Sequence, residues 1–370
     1  MRASRGLVIA ALLLTLMPLR ASATDGYAPP GTDVGEDWVT AMVLDPGQHQ
    51  LFLGMHNSSL VKVYNYRLHH LKTLTVAKPG EMALSPNGRF VYVLSWGTDG
   101  QNLVGSIVAI RTATLTIAWQ MTAPKSWEFD KRCLDGIAVA LGRVWSVGQC
   151  AGPNAQLFSF DPAHRDRGWT SAHALADMDW LDTPANNQRH LLSGVRTQSS
   201  GSGVSLWTLR GTRAHYVGNA SSGNAEGNIW FTADGSKFAY GPDNTPSTPP
   251  TAVEVRRTDH IEQQGTYYVS NDNGGLPYIS PTGKHVIIAN WRIEIFAAGH
   301  GSKPERVIDP SPNDPDPDAS VDSAVTYSDI AVTPNGHTLF DVVYYPQQDQ
   351  TSCCPEHMYL QHHHLDYNTW

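Results

Sequence analysis

Four carboxylates occupy matching places in a segment that recurs along the chain: Glu81, Asp135, Asp179 and Asp329. Each lies seven residues before a residue that marks a tight turn. Carboxylates that share one rim of a fold repel one another unless a cation, an amine or a basic protein surface offsets their charge. Oxygen ligands suit Ca²⁺ best among metals. The pattern therefore predicts a site for a positively charged ligand, with Ca²⁺ or another divalent cation as one candidate.

The structural alternative is that each acid caps its own strand by accepting hydrogen bonds from backbone N–H groups. The equivalent positions in the other copies hold Thr40, Asn228 and Leu276, so only part of the ring supplies a charge. A loop at 309–322 adds five aspartates among prolines. This loop either extends the acidic rim or is a solvated connection. The sequence leaves both interpretations open.

The four cysteines suggest two further kinds of chemistry. A two-residue turn at Gly142 would pair residue 140 with 143 and place Cys133 directly across a hairpin from Cys150, close enough for a disulfide. The adjacent Cys353 and Cys354 suit a strained vicinal disulfide, which is readily reduced and fits a redox switch. A rigid loop clip is the structural alternative for this second pair.

Histidines near the second cysteine pair offer a metal site. His357, His362 and His364 supply imidazole ligands that Cys353 and Cys354 could complement, since residues two apart on a strand point the same way. The alternative places these histidines at an outer strand edge with no ligand. The sequence contains no HExxH, GxSxG, phosphate-loop or dinucleotide motif. Catalytic residues therefore stay unassigned.

A repeated β-hairpin must position all of these residues. The clearest copies, 81–94 and 329–343, each contain a short apolar strand, a Pro-Asn-Gly turn and a second apolar strand. Pro presets φ at one turn position and Gly accepts positive φ at another, which favours a hairpin. Weaker copies give turn positions 47, 88, 142, 186, 235, 283 and 336 in all. Their mean spacing of about 48 residues matches a four-stranded propeller blade.

A third strand follows each hairpin, as at 60–64, 106–110 and 156–160. The last copy, 358–365, ends five residues before Trp370, so the blade lacks room for a fourth strand. We expect a strand from the N-terminal segment to complete it, because an open ring would expose strand edges. The sequence thus predicts an all-β fold, a single seven-bladed β-propeller of antiparallel four-stranded blades.

The segment Ala-Leu-Ser-Pro-Asn-Gly-Arg-Phe-Val-Tyr-Val at 83–93 resembles the repeat of the bacterial YVTN-type seven-bladed β-propellers. The resemblance extends over nearly all of the chain after residue 23 and implies the propeller architecture. That superfamily includes lactonases, lyases, non-catalytic subunits of periplasmic amine dehydrogenases and many binding proteins. The resemblance therefore implies a fold, whereas the function has to be argued from the site.

The first residues have the three parts of a secretory signal. Arg2 and Arg5 supply the positive charge, 6–19 is apolar, and 21–23 is a small-residue cleavage site. We predict that 1–23 is a signal peptide, that 24–370 is the propeller domain, and that the protein is periplasmic or secreted. A retained membrane anchor is the alternative. No later segment is apolar enough to span a membrane.

Removal of the signal takes away Arg2, Arg5 and Arg20 and leaves 23 basic against 34 acidic residues, a formal charge of −11. Nucleic-acid binding needs a basic footprint, so this class of partner is excluded. One hypothesis is a binding or scaffold propeller that engages a protein or a small cationic ligand through its acidic channel face. The other is a metal-assisted hydrolase or lyase, or an enzyme subunit, that uses the same face.

Overall fold

The computed structural model describes residues 31–100, 102–125, 127, 132–148, 155–175, 180–186, 189–194, 204–219, 229–241, 252–259, 261, 263–268, 276–289, 292–299, 303–308, 326–344 and 358–365. These residues form seven four-stranded antiparallel sheets. Apart from one 3-10 turn at Arg165–Arg167, their regular structure is β-strand. The predicted fold, a seven-bladed all-β propeller, is confirmed.

The strands are bounded as follows. The first strand is β1 (Thr32–Gly35). Blade 1 contains β2 (Val39–Asp45), β3 (Gln50–Met55), β4 (Leu60–Asn65) and β5 (His70–Thr75). Blade 2 contains β6 (Pro79–Leu84), β7 (Phe90–Asp99), β8 (Asn102–Arg111) and β9 (Thr116–Thr122). Blade 3 contains β10 (Leu134–Ala140), β11 (Arg143–Gly148), β12 (Gln156–Phe160) and β13 (Thr170–Leu175).

The second half of the chain repeats this arrangement. Blade 4 contains β14 (Trp180–Asp182), β15 (His190–Gly194), β16 (Ser205–Arg210) and β17 (Arg213–Asn219). Blade 5 contains β18 (Ile229–Phe231), β19 (Lys237–Tyr240), β20 (Ala252–Arg257) and β21 (Gln263–Tyr268). Blade 6 contains β22 (Leu276–Ile279), β23 (His285–Ala289), β24 (Ile293–Ala297) and β25 (Arg306–Ile308). Blade 7 contains β26 (Thr326–Val332), β27 (Thr338–Tyr344) and β28 (Met358–His364).

The ring closes through an N-terminal strand. In blade 7 the strand order is β1-β28-β27-β26, so the first strand of the chain completes the last blade. Thr32 pairs with Leu360 and Asp33 with Tyr359, and the register shifts by one residue before Gly35 pairs with Met358. The predicted mode of closure is confirmed, and it joins the two ends of the described chain in one sheet.

The strongest hairpin copies have the predicted turn geometry. In blade 2 the Ser85 amide bonds to the Phe90 carbonyl oxygen at 2.8 Å, and the Ser85 hydroxyl accepts from the Phe90 amide at 2.9 Å. Gly88 takes a positive φ of 67°, and Gly336 of blade 7 takes 74°. A serine or threonine side chain therefore holds both strands at the start of the turn.

Two weaker hairpin copies have longer turns than the sequence pattern predicted. In blade 1 the turn extends from Asp45 to Gln50, and the residue with positive φ is His49 rather than Gly47. The Asp45 carboxylate accepts from the Gly47 and Gln48 amides, which stabilises this longer turn. In blade 4, β14 ends at Asp182 and β15 begins at His190, so position 186 lies within a longer connection than a tight hairpin turn.

The hairpin of blade 3 tests the rule used to pair Cys133 with Cys150. Ala140 faces Arg143 as predicted, but the register shifts by one residue between Ile137 and Asp135. The pairing predicted from the turn therefore does not extend to Cys133, which is buried beside β10. Cys150 lies outside the described residues. The disulfide stays a prediction.

Hydrophobic packing between neighbouring blades forms the core. On β7, Val91 and Val93 pack with Phe52 of blade 1, whereas Tyr92 and Leu94 pack with Phe160 of blade 3. This alternation follows from the two-residue period of a strand. Each fully buried side chain of this size contributes roughly 1.5 to 3 kcal/mol. Every blade thus depends on both of its neighbours for burial.

One close approach between blades generates a test. A Cβ atom at Gly105 of β8 would lie 2.4 Å from Leu134 Cβ of blade 3. We expect Gly105→Ala to lower the free energy of unfolding by about 1 to 3 kcal/mol, because the blades would have to separate locally. Gly97→Ala is the matched control, since the nearest atom lies 3.9 Å away. Equal losses for the two variants in chemical denaturation would contradict this close approach.

Candidate functional site

The seven innermost strands surround the axis of the ring. They are β2, β6, β10, β14, β18, β22 and β26, and each contacts the innermost strands of both neighbouring blades. We call the face at which these strands begin the upper face, and the face with their hairpin turns the lower face. The exposed parts of side chains on these strands border the central channel or its mouths. The acids predicted for a ligand site belong to this ring.

Two of the predicted acids join neighbouring blades. Glu81 Oε2 of blade 2 accepts from the Ile137 amide of blade 3 at 3.1 Å, and Glu81 is buried. Asp329 Oδ2 of blade 7 accepts from the Met42 amide of blade 1 at 2.6 Å, while its Oδ1 accepts from the Ile330 amide at 2.8 Å. These carboxylates therefore bond to the backbone of the next innermost strand, a role that the sequence did not predict.

The other predicted acids are divided by position. Asp135 is partly exposed and lies two residues from Ile137, so it shares the boundary of blades 2 and 3 with Glu81. Asp329 lies at the boundary of blades 7 and 1, on another part of the ring. Asp179 lies outside the described residues. The structure therefore brings Glu81 and Asp135 to one boundary and places Asp329 elsewhere.

The remaining metal-ligand candidates are only partly described. The loop at 309–322, Cys353, Cys354 and His357 lie outside the described ranges. His362 and His364 are exposed on β28, away from the channel. Within the part of the chain that the structure describes, no group of three or more His, Cys, Asp or Glu side chains could hold a metal ion. The divalent-cation and redox hypotheses stay predictions.

Side chains of other innermost strands connect the blades in the same way. Thr40 Oγ1 donates to the Pro79 carbonyl oxygen at 2.9 Å, which links blade 1 to blade 2. Thr183 Oγ1 donates to the Val139 carbonyl oxygen at 3.0 Å, which links blade 4 to blade 3. Polar groups of this ring thus satisfy backbone atoms at the blade boundaries.

Asp182 on β14 is a channel acid that the sequence analysis missed. Its Oδ2 accepts from the Phe231 amide of blade 5 at 3.1 Å, and its Oδ1 accepts from the Thr183 amide at 2.8 Å. Burial raises the pKa of Asp182 from 3.8 to about 7, although both amides oppose the rise. The Asp182 carboxyl therefore titrates near neutral pH.

The sequence did contain a signal for this residue. Asp182 precedes Thr-Pro, at the place where other copies of the repeat have an apolar residue before the turn. Those residues are Leu84, Phe231, Ile279 and Val332. A carboxylate among apolar equivalents marks a departure from the packing pattern, and such departures are expected at functional sites.

Two aromatic side chains lie near Asp182 on the next innermost strands. The rings of Trp230 on β18 and Tyr278 on β22 are 4.9 Å apart at an angle of 53°. Burial raises the pKa of Tyr278, and the charges of Asp182 and Asp329 raise it further. Both carboxylates are therefore within electrostatic range of the Tyr278 hydroxyl. We call Asp182, Trp230, Tyr278 and Asp329 the channel wall.

A second group of aromatic side chains lies on the upper face. Trp38 is 36% exposed, and its ring lies 6.2 Å from that of Tyr344. His56 lies 5.4 Å from Trp96, and the His56 amide bonds to the Trp38 carbonyl oxygen. These four residues cross blades 7, 1 and 2. We call them the upper aromatic surface.

A cleft of about 400 Å³ adjoins this surface. It lies between the closing strand β1 and blade 1, and its lining residues are Val34, Gly35, Glu36, Asp37, Met55, Asn57, Ser58, Leu60 and Lys62. The Asp37 carboxylate accepts from the Asn57 and Ser58 amides, and the Lys62 ammonium donates to the Val34 carbonyl oxygen at 2.6 Å. The cleft therefore combines an apolar floor with two acids and a cation that is already bonded.

Comparisons with known proteins support the fold. No protein family and no curated protein sequence matches this chain. The structure is similar to a chain of hydrazine synthase from Kuenenia stuttgartiensis, with a TM-score of 0.57 and 14% sequence identity. The alignment covers 85% of this chain and 96% of that one. This likeness shows a propeller fold, and membership in the YVTN repeat family stays a prediction.

The protonation of Asp182 predicts a pH-dependent stability. Because the pKa of Asp182 is higher in the folded than in the unfolded chain, the stability that this carboxyl contributes is complete below about pH 4 and is lost as the pH rises towards 7. We expect the stability of Asp182→Asn to depend less on pH over this range. Between pH 4 and pH 8, the free energy of unfolding of the variant should rise by about 1 to 4 kcal/mol relative to that of the unmodified protein. The lower figure applies if channel water screens the charge.

Asp161→Asn provides a control with the opposite sign. The hydrogen bond from His164 is the largest cause that lowers the pKa of Asp161, so its contribution is lost as the pH falls below about 4. Urea denaturation at several pH values measures both variants. A profile for Asp182→Asn that parallels the unmodified protein from pH 4 to pH 8 would exclude the neutral carboxyl.

Proposed function

We propose that this protein is an exported binding or scaffold propeller that engages a basic segment of a partner protein through its upper face. The observation that carries this proposal is the upper aromatic surface beside the acidic cleft. Tryptophan and tyrosine are enriched among residues that dominate binding energy. Trp38 is suited to this role, since it is exposed and directly precedes strand β2.

The charge of the region determines the kind of partner. Glu36 and Asp37 line the cleft, and Asp33 precedes it on β1. Lys62 supplies one positive charge against these three acidic residues, so it offsets their charge only in part. The chain after residue 23 also has a formal charge of −11. A partner segment with lysine or arginine and an apolar anchor therefore complements the surface, and its cation can lie over the Trp38 ring.

The structural neighbour and the signal sequence support the coarser parts of the proposal. A propeller chain occurs in hydrazine synthase, which fits a role for this chain as a scaffold or subunit. The predicted signal peptide at 1–23 supports export to the periplasm or beyond the cell. Within the described residues, no helix is both long and apolar enough to cross a membrane.

Two synthetic peptides of equal length test the proposal, one alternating lysine with leucine and the other alternating glutamate with leucine. We expect the basic peptide to bind and to change tryptophan fluorescence, whereas the acidic peptide should bind at least about tenfold more weakly. Trp38→Ala should weaken binding of the basic peptide by about tenfold or more, since a truncated hot-spot residue costs at least about 1.4 kcal/mol.

Tyr216→Ala is the matched control, because Tyr216 is 55% exposed on the outer strand β17 of blade 4. This variant should bind the basic peptide as the unmodified protein does. The proposal is wrong if the two peptides bind equally, or if Trp38→Ala and Tyr216→Ala have the same affinity. Circular dichroism spectra establish that both variants are folded.

A metal-assisted hydrolase or lyase is the second candidate, and the carboxyl of Asp182 favours it. A group with a pKa near 7 suits general acid–base catalysis. If a divalent cation is bound, chelation should lower the melting temperature and added Ca²⁺ should restore it. Glu81→Gln should abolish that restoration if Glu81 is a ligand. An unchanged melting temperature after chelation, together with no metal by elemental analysis, would reject this candidate.

A further inference from the structure

We propose that the channel wall binds a small organic ammonium ion that also carries an acceptor oxygen. Trp230 and Tyr278 would contact the cationic group, and Asp182 and Asp329 would supply the opposing charge. This site goes beyond the proposed function, since it lies inside the ring and takes a small molecule rather than a protein segment. It therefore stands or falls independently of peptide binding on the upper face.

The aromatic pair supplies the first requirement. Trp230 and Tyr278 belong to adjacent innermost strands, and their tilted rings contact each other. Trp230 remains partly exposed, and on an innermost strand this exposed part borders the channel. Aromatic faces attract organic cations through the ring quadrupole, most strongly for tryptophan. The pair therefore forms a wall against which an alkylated ammonium group can pack.

The carboxylates supply the second requirement. The Phe231 amide bonds to Asp182, and Phe231 is the neighbour of Trp230 in the chain. The negative charges of Asp182 and Asp329 both act on the Tyr278 hydroxyl. Asp182 on β14 and Asp329 on β26 lie on the innermost strands that flank those of the aromatic pair. Each accepts hydrogen bonds from backbone amides, which fixes its position, and Asp182 adds its negative charge above its pKa of about 7.

An unpaired donor indicates the second group of the ligand. The indole Nε1 of Trp230 is buried and has no hydrogen-bond partner among the described residues. A buried N–H group without an acceptor is unfavourable, and native structures usually provide one. A hydroxyl or carbonyl oxygen of a bound molecule could accept this hydrogen bond. The ligand class that fits is therefore an amino alcohol or a related ammonium compound.

Isothermal titration calorimetry with choline tests the inference, because choline combines a quaternary ammonium group with a hydroxyl. Its neutral isostere, 3,3-dimethylbutan-1-ol, has the same shape without the charge. We expect choline to bind with a Kd below about 1 mM and the isostere to bind at least tenfold more weakly. Tetramethylammonium, which lacks the hydroxyl, should have an intermediate affinity.

Three variants assign the site. Asp182→Asn keeps the shape and, at pH 8 where Asp182 is ionised, removes a charge, so choline affinity at that pH should fall by about tenfold. Trp230→Phe keeps a ring and removes the donor, so the preference for choline over tetramethylammonium should disappear. Trp119→Phe alters a partly buried tryptophan at the boundary of blades 2 and 3, far from the channel wall, and should bind choline normally.

The outcomes separate this inference from the peptide-binding proposal. Choline binding that is unchanged in Trp38→Ala but about tenfold weaker in Asp182→Asn would support the channel site. The inference is overturned if the folded protein fails to bind choline, if the isostere binds equally well, or if Asp182→Asn and Trp119→Phe have the same affinity. None of these results changes the expectation for the basic peptide.

Discussion

Packing of each innermost strand between two neighbours is the constraint on which the whole structure depends. A blade has two apolar faces, and it can bury both only when another blade covers each of them. The alternation on β7 shows this, since Val91 and Val93 belong to one boundary and Tyr92 and Leu94 to the next. A closed ring is the arrangement that covers every face. The pairing of β1 with β28 therefore stabilises all seven blades and not only the last.

Polar side chains near the axis serve the same constraint. An innermost strand has one edge without a partner strand, so its backbone groups need other hydrogen-bond partners. Glu81 and Asp329 supply acceptors to amides of the next blade, and Thr40 donates to a carbonyl of the next blade. Acids that the sequence suggested as ligands are thus also part of the scaffold. A ligand that approaches this ring encounters charges that the backbone already holds in place.

The prediction of the fold succeeded where local chemistry was sufficient. The Ser-Pro-Asn-Gly segment at 85–88 and the Thr-Pro-Asn-Gly segment at 333–336 form turns by short-range bonds, so their geometry follows from the residues. Prediction of the site was less complete. Asp182 was missed because its importance comes from burial against blade 5, and Trp230 because its neighbour Tyr278 lies 48 positions away in the chain.

The sequence by itself determined the repeat, its length, the number of blades and the need for a closing strand, because hairpin turns and alternating apolar residues are local patterns. Only the tertiary structure decided which side chains meet across blade boundaries. A one-residue bulge at Asp135 changes which residues face each other, and ring closure places Trp38 beside Tyr344 from opposite ends of the chain. Contacts of this kind depend on the summed geometry of all seven blades, which no single repeat contains.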